Sequence, residues 1–163
     1  MAAKKGLDDL LARFAGGDRL ALSRIMSHAE NATPDFPYLF DSLYPRAGNA
    51  LRVGVTGPPG AGKSTLVEAV ARVCKGADEQ VGVIAVDPTS PFSGGALLGD
   101  RIRMQRLVLD PGVFVRSMAS RGSVGGLAHT TDEVADVMDA FGFATAAVVL
   151  EIVDCGDGLP GAW

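Results

Sequence analysis

The chain has 163 residues, is 47% hydrophobic with 21 glycines, and carries a formal net charge of −4. This length fits a single domain, and so much glycine is typical of an α/β protein with many tight loops. The lysines and arginines are scattered and the isoelectric point is near 5.1, so we expect no nucleic-acid partner. No apolar run approaches the roughly 18 residues of a membrane span, and no signal-peptide core follows Met1. We therefore expect a cytoplasmic protein with no membrane partner.

Three short helices are predicted in residues 1–48. The first is indicated by apolar residues at helical spacing before Gly16: Leu7, Leu10, Leu11 and Phe14. Asp18 is a candidate N-cap for a second helix, and a third spans Asp35 to Leu43. We interpret this N-terminal helical segment as a cap packed on the side of a sheet. A partner-docking arm is the alternative.

From residue 49 the pattern alternates between strand and helix. The candidate strands are Leu51–Thr56, Val81–Val86, Val113–Arg116 and Ala146–Val153. Such alternation predicts an α/β fold with a mostly parallel sheet and helices on both faces. Cys74 and Cys155 have neither disulfide-framework nor metal-ligand spacing, so we expect ordinary reduced thiols.

A phosphate-binding loop follows the first strand. Nine consecutive residues form the predicted nucleotide site: Gly57, Pro58, Pro59, Gly60, Ala61, Gly62, Lys63, Ser64 and Thr65. They match G-x-x-x-x-G-K-[ST] between a strand and a helix, the context that the motif requires. Glycines let the backbone N–H groups approach phosphates closely, and the helix N-terminus favours an anion. Lys63 is expected to face the β- and γ-phosphates without any structural role, and the Ser64 hydroxyl suits Mg²⁺. Residues 49–163 are therefore predicted to form a P-loop NTPase domain.

Three carboxylates are candidates for the same site. Asp87 follows a strand and should emerge at the sheet edge that carries the loop, although Asp-Pro is also a common turn. Asp100 begins a helical pattern, where capping alone would explain it. Glu151 lies in an apolar run, where a charge is costly unless it has a partner such as hydrated magnesium. A frayed strand end in solvent is the alternative for Glu151.

Four motifs together resemble the methylmalonyl-CoA mutase-associated GTPase family, also known as transport-system kinases. They are the phosphate loop, Val86–Ser90, Gly94–Met104 and Gly122–Leu127, and they occur in the order typical of that family. The resemblance implies a P-loop GTPase that binds GTP or GDP with Mg²⁺ and hydrolyses GTP slowly. It implies catalytic roles for Lys63 and Asp100.

The resemblance also implies a metal site and partners. The implied magnesium ligands are Ser64, Asp87, Asp100 and Glu151. Members of the family chaperone a cobalamin-dependent acyl-CoA mutase of the methylmalonyl-CoA mutase type, assist its cofactor loading and protection, and usually form homodimers.

The chain departs from the family after Leu150. It reads Glu151-Ile152-Val153-Asp154 where the family has a glycine in place of Asp154, and a carboxylate there would repel a γ-phosphate. The family's guanine-reading motif and its dimerisation helices do not follow, so we interpret the domain as incomplete at its C-terminus. Two alternatives to the GTPase chaperone remain: a nucleotide-binding fragment without turnover, and an ATP-dependent kinase. An incomplete sheet should also expose an apolar strand edge that favours self-association.

Overall fold

The computed structural model describes residues 2–58, 60–76, 80–87, 105–119 and 130–151. Six helices and four strands lie within these ranges: α1 Ala2–Ala15, α2 Arg19–Glu30, α3 Phe36–Leu43, β1 Leu51–Gly57, α4 Lys63–Gly76, β2 Val81–Asp87, α5 Gln105–Val108, β3 Val113–Ala119, α6 Thr130–Phe141 and β4 Thr145–Glu151. A 3₁₀ turn, Tyr44–Arg46, joins α3 to the segment before β1. No helix within the described residues is long and apolar enough to cross a membrane.

The four strands form one parallel sheet in the order β1-β4-β2-β3. Each predicted strand is present, and β3 runs to Ala119 rather than ending at Arg116 because its alternating side chains find buried surface on both faces. Residues 152 and 153, predicted to end the fourth strand, lie outside the described residues. The predicted parallel α/β architecture is therefore confirmed.

Helices cover both faces of the sheet, and each face has its own apolar core. On β2, Ile84 and Val86 point to a core shared with α1, α2, α3 and α6. Val83 and Ala85 point to the opposite core, which α4 and α5 complete through Val67 and other residues. Burial on both faces explains why β2 is continuously apolar rather than alternating.

The N-terminal helices pack on the first of these faces. Ile25 and Leu39 are fully buried there, and α2 packs along α6. Two polar contacts tie α2 to β3 and to the turn before it. The Arg116 guanidinium on β3 lies 2.5 Å from the Glu30 carboxylate, and Arg19 donates to the carbonyl of Pro111, two residues before the strand, at 2.5 Å. The cap interpretation is therefore confirmed, whereas the domain boundary at residues 48 and 49 stays a prediction.

Asp18 caps α2 as the sequence predicts. Its carboxylate accepts hydrogen bonds from the backbone N–H groups of Leu20 and Ala21, at 2.8 and 3.4 Å. Arg13 also donates to it from two nitrogens. The Arg13 hydrogen bond, followed by that from Leu20, holds the pKa of Asp18 below its usual value. The turn between α1 and α2 is thereby fixed by one charged side chain.

A buried carboxylate on α6 fixes the entry to β1. Asp139 is almost fully buried, and it accepts hydrogen bonds from the backbone N–H groups of Gly48, at 2.7 Å, and Asn49, at 3.1 Å. Arg52 lies 3.7 Å from the same carboxylate and pairs with Asp136 one turn earlier on the helix. Two N–H donors and a nearby guanidinium compensate the desolvation of the Asp139 carboxylate. They thereby anchor the strand that leads into the phosphate loop.

Candidate functional site

The phosphate loop lies at the carboxyl end of β1 and opens directly into α4. Gly60 and Gly62 have φ values of +79° and +84°, in the left-handed region where a side chain would be strained. Ala61 donates its backbone N–H to the Pro58 carbonyl at 3.3 Å, which closes a turn at the centre of the loop. The sequence predicts this strand, loop and helix, and the structure has them in that order.

Lys63 begins α4 and folds back over the loop. Its ammonium donates to the carbonyl oxygens of Gly57 and Pro58, at 2.8 and 2.9 Å, and the residue is only 9% exposed. The prediction that Lys63 has no structural role is therefore wrong. An ammonium carries three donors, so the carbonyls of a closely wound loop are natural acceptors for it. The lysine both stabilises the loop and holds a positive charge against it.

Ser64 and Thr65 lie in the first turn of α4. The backbone N–H groups of a first helical turn have no preceding helical carbonyl to bond, and they carry the positive end of the helix dipole. Within α4, Leu66 donates its backbone N–H to the carbonyl of Gly62, which precedes the helix, at 2.9 Å. Ser64 is partly buried and Thr65 is exposed. This end of the helix can accept an anion that enters from the loop side.

Two of the predicted carboxylate residues lie at the same edge of the sheet as the loop. The register of β4 against β1 places Glu151 beside Gly57, where the loop begins. The register of β4 against β2 pairs Leu150 with Val86, so that Asp87 lies one residue beyond, level with Glu151. Both residues end neighbouring strands next to the loop, although the structure describes only their backbone positions.

The remaining predicted site residues are not described by the structure. Pro59, Asp100, Asp154 and the glycine-rich segment 120–126 lie outside the described residues. Within the described residues, no group of three or more His, Cys, Asp or Glu side chains could hold a metal ion. The assignments of Asp100, as a catalytic residue and as a metal ligand, therefore stay predictions.

The residue types at this edge match the ligand chemistry of a magnesium ion bound with a nucleotide. Mg²⁺ prefers oxygen ligands and commonly takes one or two carboxylates with phosphate oxygens and water. Ser64, Asp87 and Glu151 are residue types with oxygen donors, and the strand register brings the backbone of Asp87 and Glu151 to the edge that carries the loop. The assignment of these three residues as magnesium ligands stays a prediction.

Sequence reasoning missed two groups that position the site. The Gly57 and Pro58 carbonyls accept hydrogen bonds from Lys63. No motif indicates these contacts, because every residue has a backbone carbonyl whatever its side chain. Asp139 was also missed, although a signal existed. It is a charged residue among apolar positions of α6, and such residues are usually buried with a partner.

Comparison with known proteins agrees with the assignment of residues 57–65 as a phosphate-binding loop. The sequence profile of the methylmalonyl-CoA mutase-associated GTPase MeaB family matches residues 22–158. The chain is 54% identical over 136 residues to a protein of Pyrococcus abyssi named as a GTPase, covering 83% of this chain and 42% of that one. It is 38% identical over 154 residues to the GTPase ArgK of Escherichia coli, covering 92% and 46%.

A mouse protein and a solved structure extend these similarities. The mouse mitochondrial methylmalonic aciduria type A homolog is 39% identical over 105 residues, covering 64% of this chain and 25% of that one. The crystal structure of a LAO/AO transport system kinase superimposes with a TM-score of 0.65 at 28% identity, covering 90% and 43%. The chain spans about half the length of these two GTPase relatives. By its sequence and its P-loop α/β fold, the chain belongs to the methylmalonyl-CoA mutase-associated GTPase MeaB family.

Proposed function

We propose that the chain binds GTP and GDP with Mg²⁺ through the phosphate loop and hydrolyses GTP slowly. The observation that carries this proposal is the geometry of residues 57–65. Glycines with positive φ, a folded-back lysine and the N-terminus of α4 together can form a cradle for phosphate oxygens. The GTPase names of the relatives support guanine as the base.

Lys63 can redirect its ammonium toward a nucleotide that binds. Its ammonium now donates to two neutral carbonyls, and a phosphate offers charged oxygens to the same donors. The bonds to carbonyls have one charged partner, whereas an ammonium–phosphate bond has two charged partners and adds the attraction between opposite charges. The lysine can therefore turn from the loop to the nucleotide without leaving an unsatisfied charge. The bound Mg²⁺ neutralises phosphate charge, and Ser64, Asp87 and Glu151 are the residues that would hold it.

The proposed biological role is to assist a cobalamin-dependent acyl-CoA mutase in cofactor loading and protection. Its support is the family's description as mutase-associated and the name of the mouse relative, which refers to methylmalonic aciduria. The role belongs to the whole proteins of the family, of which this chain spans about half. A methylmalonyl-CoA mutase that fails to co-sediment with the chain in the presence of GTP and Mg²⁺ would count against it.

Titration with GTP and ATP, each with and without Mg²⁺, tests the nucleotide proposal. We expect heat of binding for GTP with Mg²⁺, weaker binding without the metal, and release of inorganic phosphate at a low rate. Preference for ATP, with phosphate transferred to an acceptor other than water, would favour the kinase instead. Nucleotide binding without any phosphate release would favour a binding fragment.

The metal assignment has its own pair of variants. Glu151→Gln should weaken the dependence of nucleotide affinity on Mg²⁺, because the neutral amide interacts poorly with a hydrated cation. Asp154→Gly, three residues later, restores the family's glycine and should leave that dependence intact. The reverse pattern would show that the metal-side carboxylate has been assigned to the wrong residue.

A further inference from the structure

Arg116 is a charged side chain on an apolar face of β3. Its neighbours on that face of the strand, Phe114 and Met118, belong to the core that α1, α2, α3 and α6 share. The Arg116 guanidinium lies 2.5 Å from the Glu30 carboxylate and donates to the Ser27 hydroxyl at 3.0 Å. The side chains of the two charged residues are only 21% and 15% exposed. They therefore form a largely buried ion pair between α2 and the sheet.

Stability alone explains this ion pair poorly. Within the described residues, the buried Nε atom of Arg116 has no hydrogen-bond partner, so the guanidinium is not fully compensated for leaving water. Well-packed apolar side chains of similar volume often replace a buried ion pair without loss of stability. A hydrogen-bonded ion pair has, however, a directional geometry that apolar contacts lack. Arg116 is thus suited to fix where α2 lies against β3.

The end of β3 that Arg116 holds lies at the nucleotide edge of the sheet. The strand ends at Ala119, three residues after Arg116, and the register pairs Ala119 with Asp87. Asp87 lies level with Glu151, which pairs with Gly57 where the phosphate loop begins. The four strands therefore end at one level, and Arg116 lies about 10 Å of strand before that level.

The helix that Arg116 contacts also packs on the element that follows β3. The chain leaves β3 at Ala119, and α6 begins at Thr130. Buried residues of α2 and α6, such as Ile25 and Val134, belong to one core, and the two helices pack along each other. The helix α2 thus contacts both described elements that flank residues 120–129. Its position bears on the strand ends at the nucleotide edge.

We propose that Arg116 is a positioning residue for the nucleotide site, and that its ion pair with Glu30 couples the N-terminal helices to that site. This inference rests on the proposed binding of GTP with Mg²⁺. Coupling between two parts of a protein is reciprocal. If the position of α2 favours nucleotide binding, bound nucleotide stabilises α2 against the sheet in return.

Arg19 provides a matched control at the other end of the same helix and strand. It begins α2 and donates to the carbonyls of Pro111 and Val113, at 2.5 and 3.3 Å, where β3 starts. Arg19→Met and Arg116→Met each remove one guanidinium from the contact between α2 and β3. Only Arg116→Met does so toward the end of the strand that lies at the nucleotide edge.

Two further variants separate positioning from stability. Arg116→Met combined with Glu30→Leu replaces the ion pair by an apolar pair, so that no buried charge is left without its partner. Arg116→Lys keeps the positive charge, although a flexible ammonium holds a carboxylate less firmly than a guanidinium does. Melting curves without nucleotide measure the stability of all the variants.

Calorimetric titration with GTP and Mg²⁺, at a temperature below every melting transition, tests the proposal. We expect Arg19→Met to bind GTP as the wild type does, whatever its melting temperature. The double variant should melt near the wild type and yet lose at least about fivefold in GTP affinity. Arg116→Lys should lose less. Hydrogen exchange should show that GTP slows the exchange of α2 amides in the wild type and not in the double variant.

Three results would overturn the proposal. Wild-type GTP affinity in the double variant and in Arg116→Lys would leave the nucleotide site intact and give the ion pair no part in positioning it. An equal loss of affinity in Arg19→Met would show a general effect of loosening α2. A wild-type chain that binds no GTP would remove the proposed function, and this inference with it.

Discussion

One face of the sheet and the side formed by β1 and α4 differ in how much apolar surface they bury among the described residues. On the face of α2 and α6, Leu22 and Ile25 are fully buried, and charged side chains such as Glu30 have partners. Along β1 and the outer flank of α4, Leu51 and Leu66 remain 64% and 55% exposed. Leucine thus stabilises the fold by burial on the face of α2 and α6, whereas leucines of β1 and α4 stay largely exposed to solvent. Position relative to the sheet, rather than residue type, decides which role they take.

The largest expected effect comes from truncating one leucine on each side. Leu22→Ala empties a fully buried position in α2 and should lower the free energy of unfolding by about 2–5 kcal/mol. Leu66→Ala makes the same chemical change in α4, where half of the side chain is exposed, and should cost less than about 1 kcal/mol. Urea denaturation of both variants checks the contrast. Equal losses would show that the β1 margin is as closed as the α2 face.

The next effect concerns the carboxylate that joins α6 to β1. Asp139→Ala leaves the N–H groups of Gly48 and Asn49 without their acceptor, and should cost about 3 kcal/mol. Asp139→Asn keeps one acceptor oxygen and should cost less. Denaturation midpoints measure both. If Asp139→Ala is as stable as the wild type, the charge and its hydrogen bonds do not anchor the strand.

Two strand glycines provide a third, smaller contrast. A Cβ atom at Gly82 on β2 would lie 2.7 Å from the Met138 sulfur of α6 and 3.5 Å from the Phe143 ring. Gly82→Ala should therefore destabilise the fold by about 1–3 kcal/mol through overpacking. Gly54→Ala on β1 meets open space and should be neutral or slightly stabilising. Thermal denaturation of the pair measures the difference, and a neutral Gly82→Ala would show that Met138 moves aside freely.

The smallest expected effect is a pH dependence at the turn between α1 and α2. Because Arg13 and the N–H of Leu20 lower the pKa of Asp18 in the folded state, its contribution is present above the unfolded carboxyl pKa. That contribution disappears as the pH falls through the folded pKa. Asp18→Asn keeps a good N-cap but removes the charge. Melting temperatures of wild type and variant should differ at pH 7 and converge in acid, once the pH has fallen below the lowered folded-state pKa. A difference that persists in acid would exclude the charge as its cause.

The sequence predicted the elements well because their patterns are local. The apolar run of β2, the cap at Asp18 and the glycines of the phosphate loop each follow from a few neighbouring residues. The contacts that hold these elements together are long-range. Asp139 accepts a hydrogen bond from Gly48, which lies 91 positions away in the chain. The sequence pattern of α6 does not indicate which residue that partner is.

The site was predictable to the same extent. The motif specifies which residues form the loop, and the parallel fold specifies that Asp87 and Glu151 end beside it. The motif does not specify where the side chain of its lysine lies. Lys63 is held by carbonyls of its own loop because a buried ammonium needs hydrogen-bond acceptors. Sequence reasoning considered only the nucleotide-bound role of that lysine.

Calorimetric titration of GTP in the presence of Mg²⁺ tests the central claim most directly. Lys63→Ala is compared with Lys5→Ala, which removes the same charge from α1, far from the loop in sequence. The account predicts that Lys5→Ala binds as the wild type does and that Lys63→Ala loses at least about tenfold in affinity. A melting curve without nucleotide measures the separate cost of freeing the loop carbonyls. Equal GTP affinity in all three proteins would contradict the assignment of residues 57–65 as the nucleotide site.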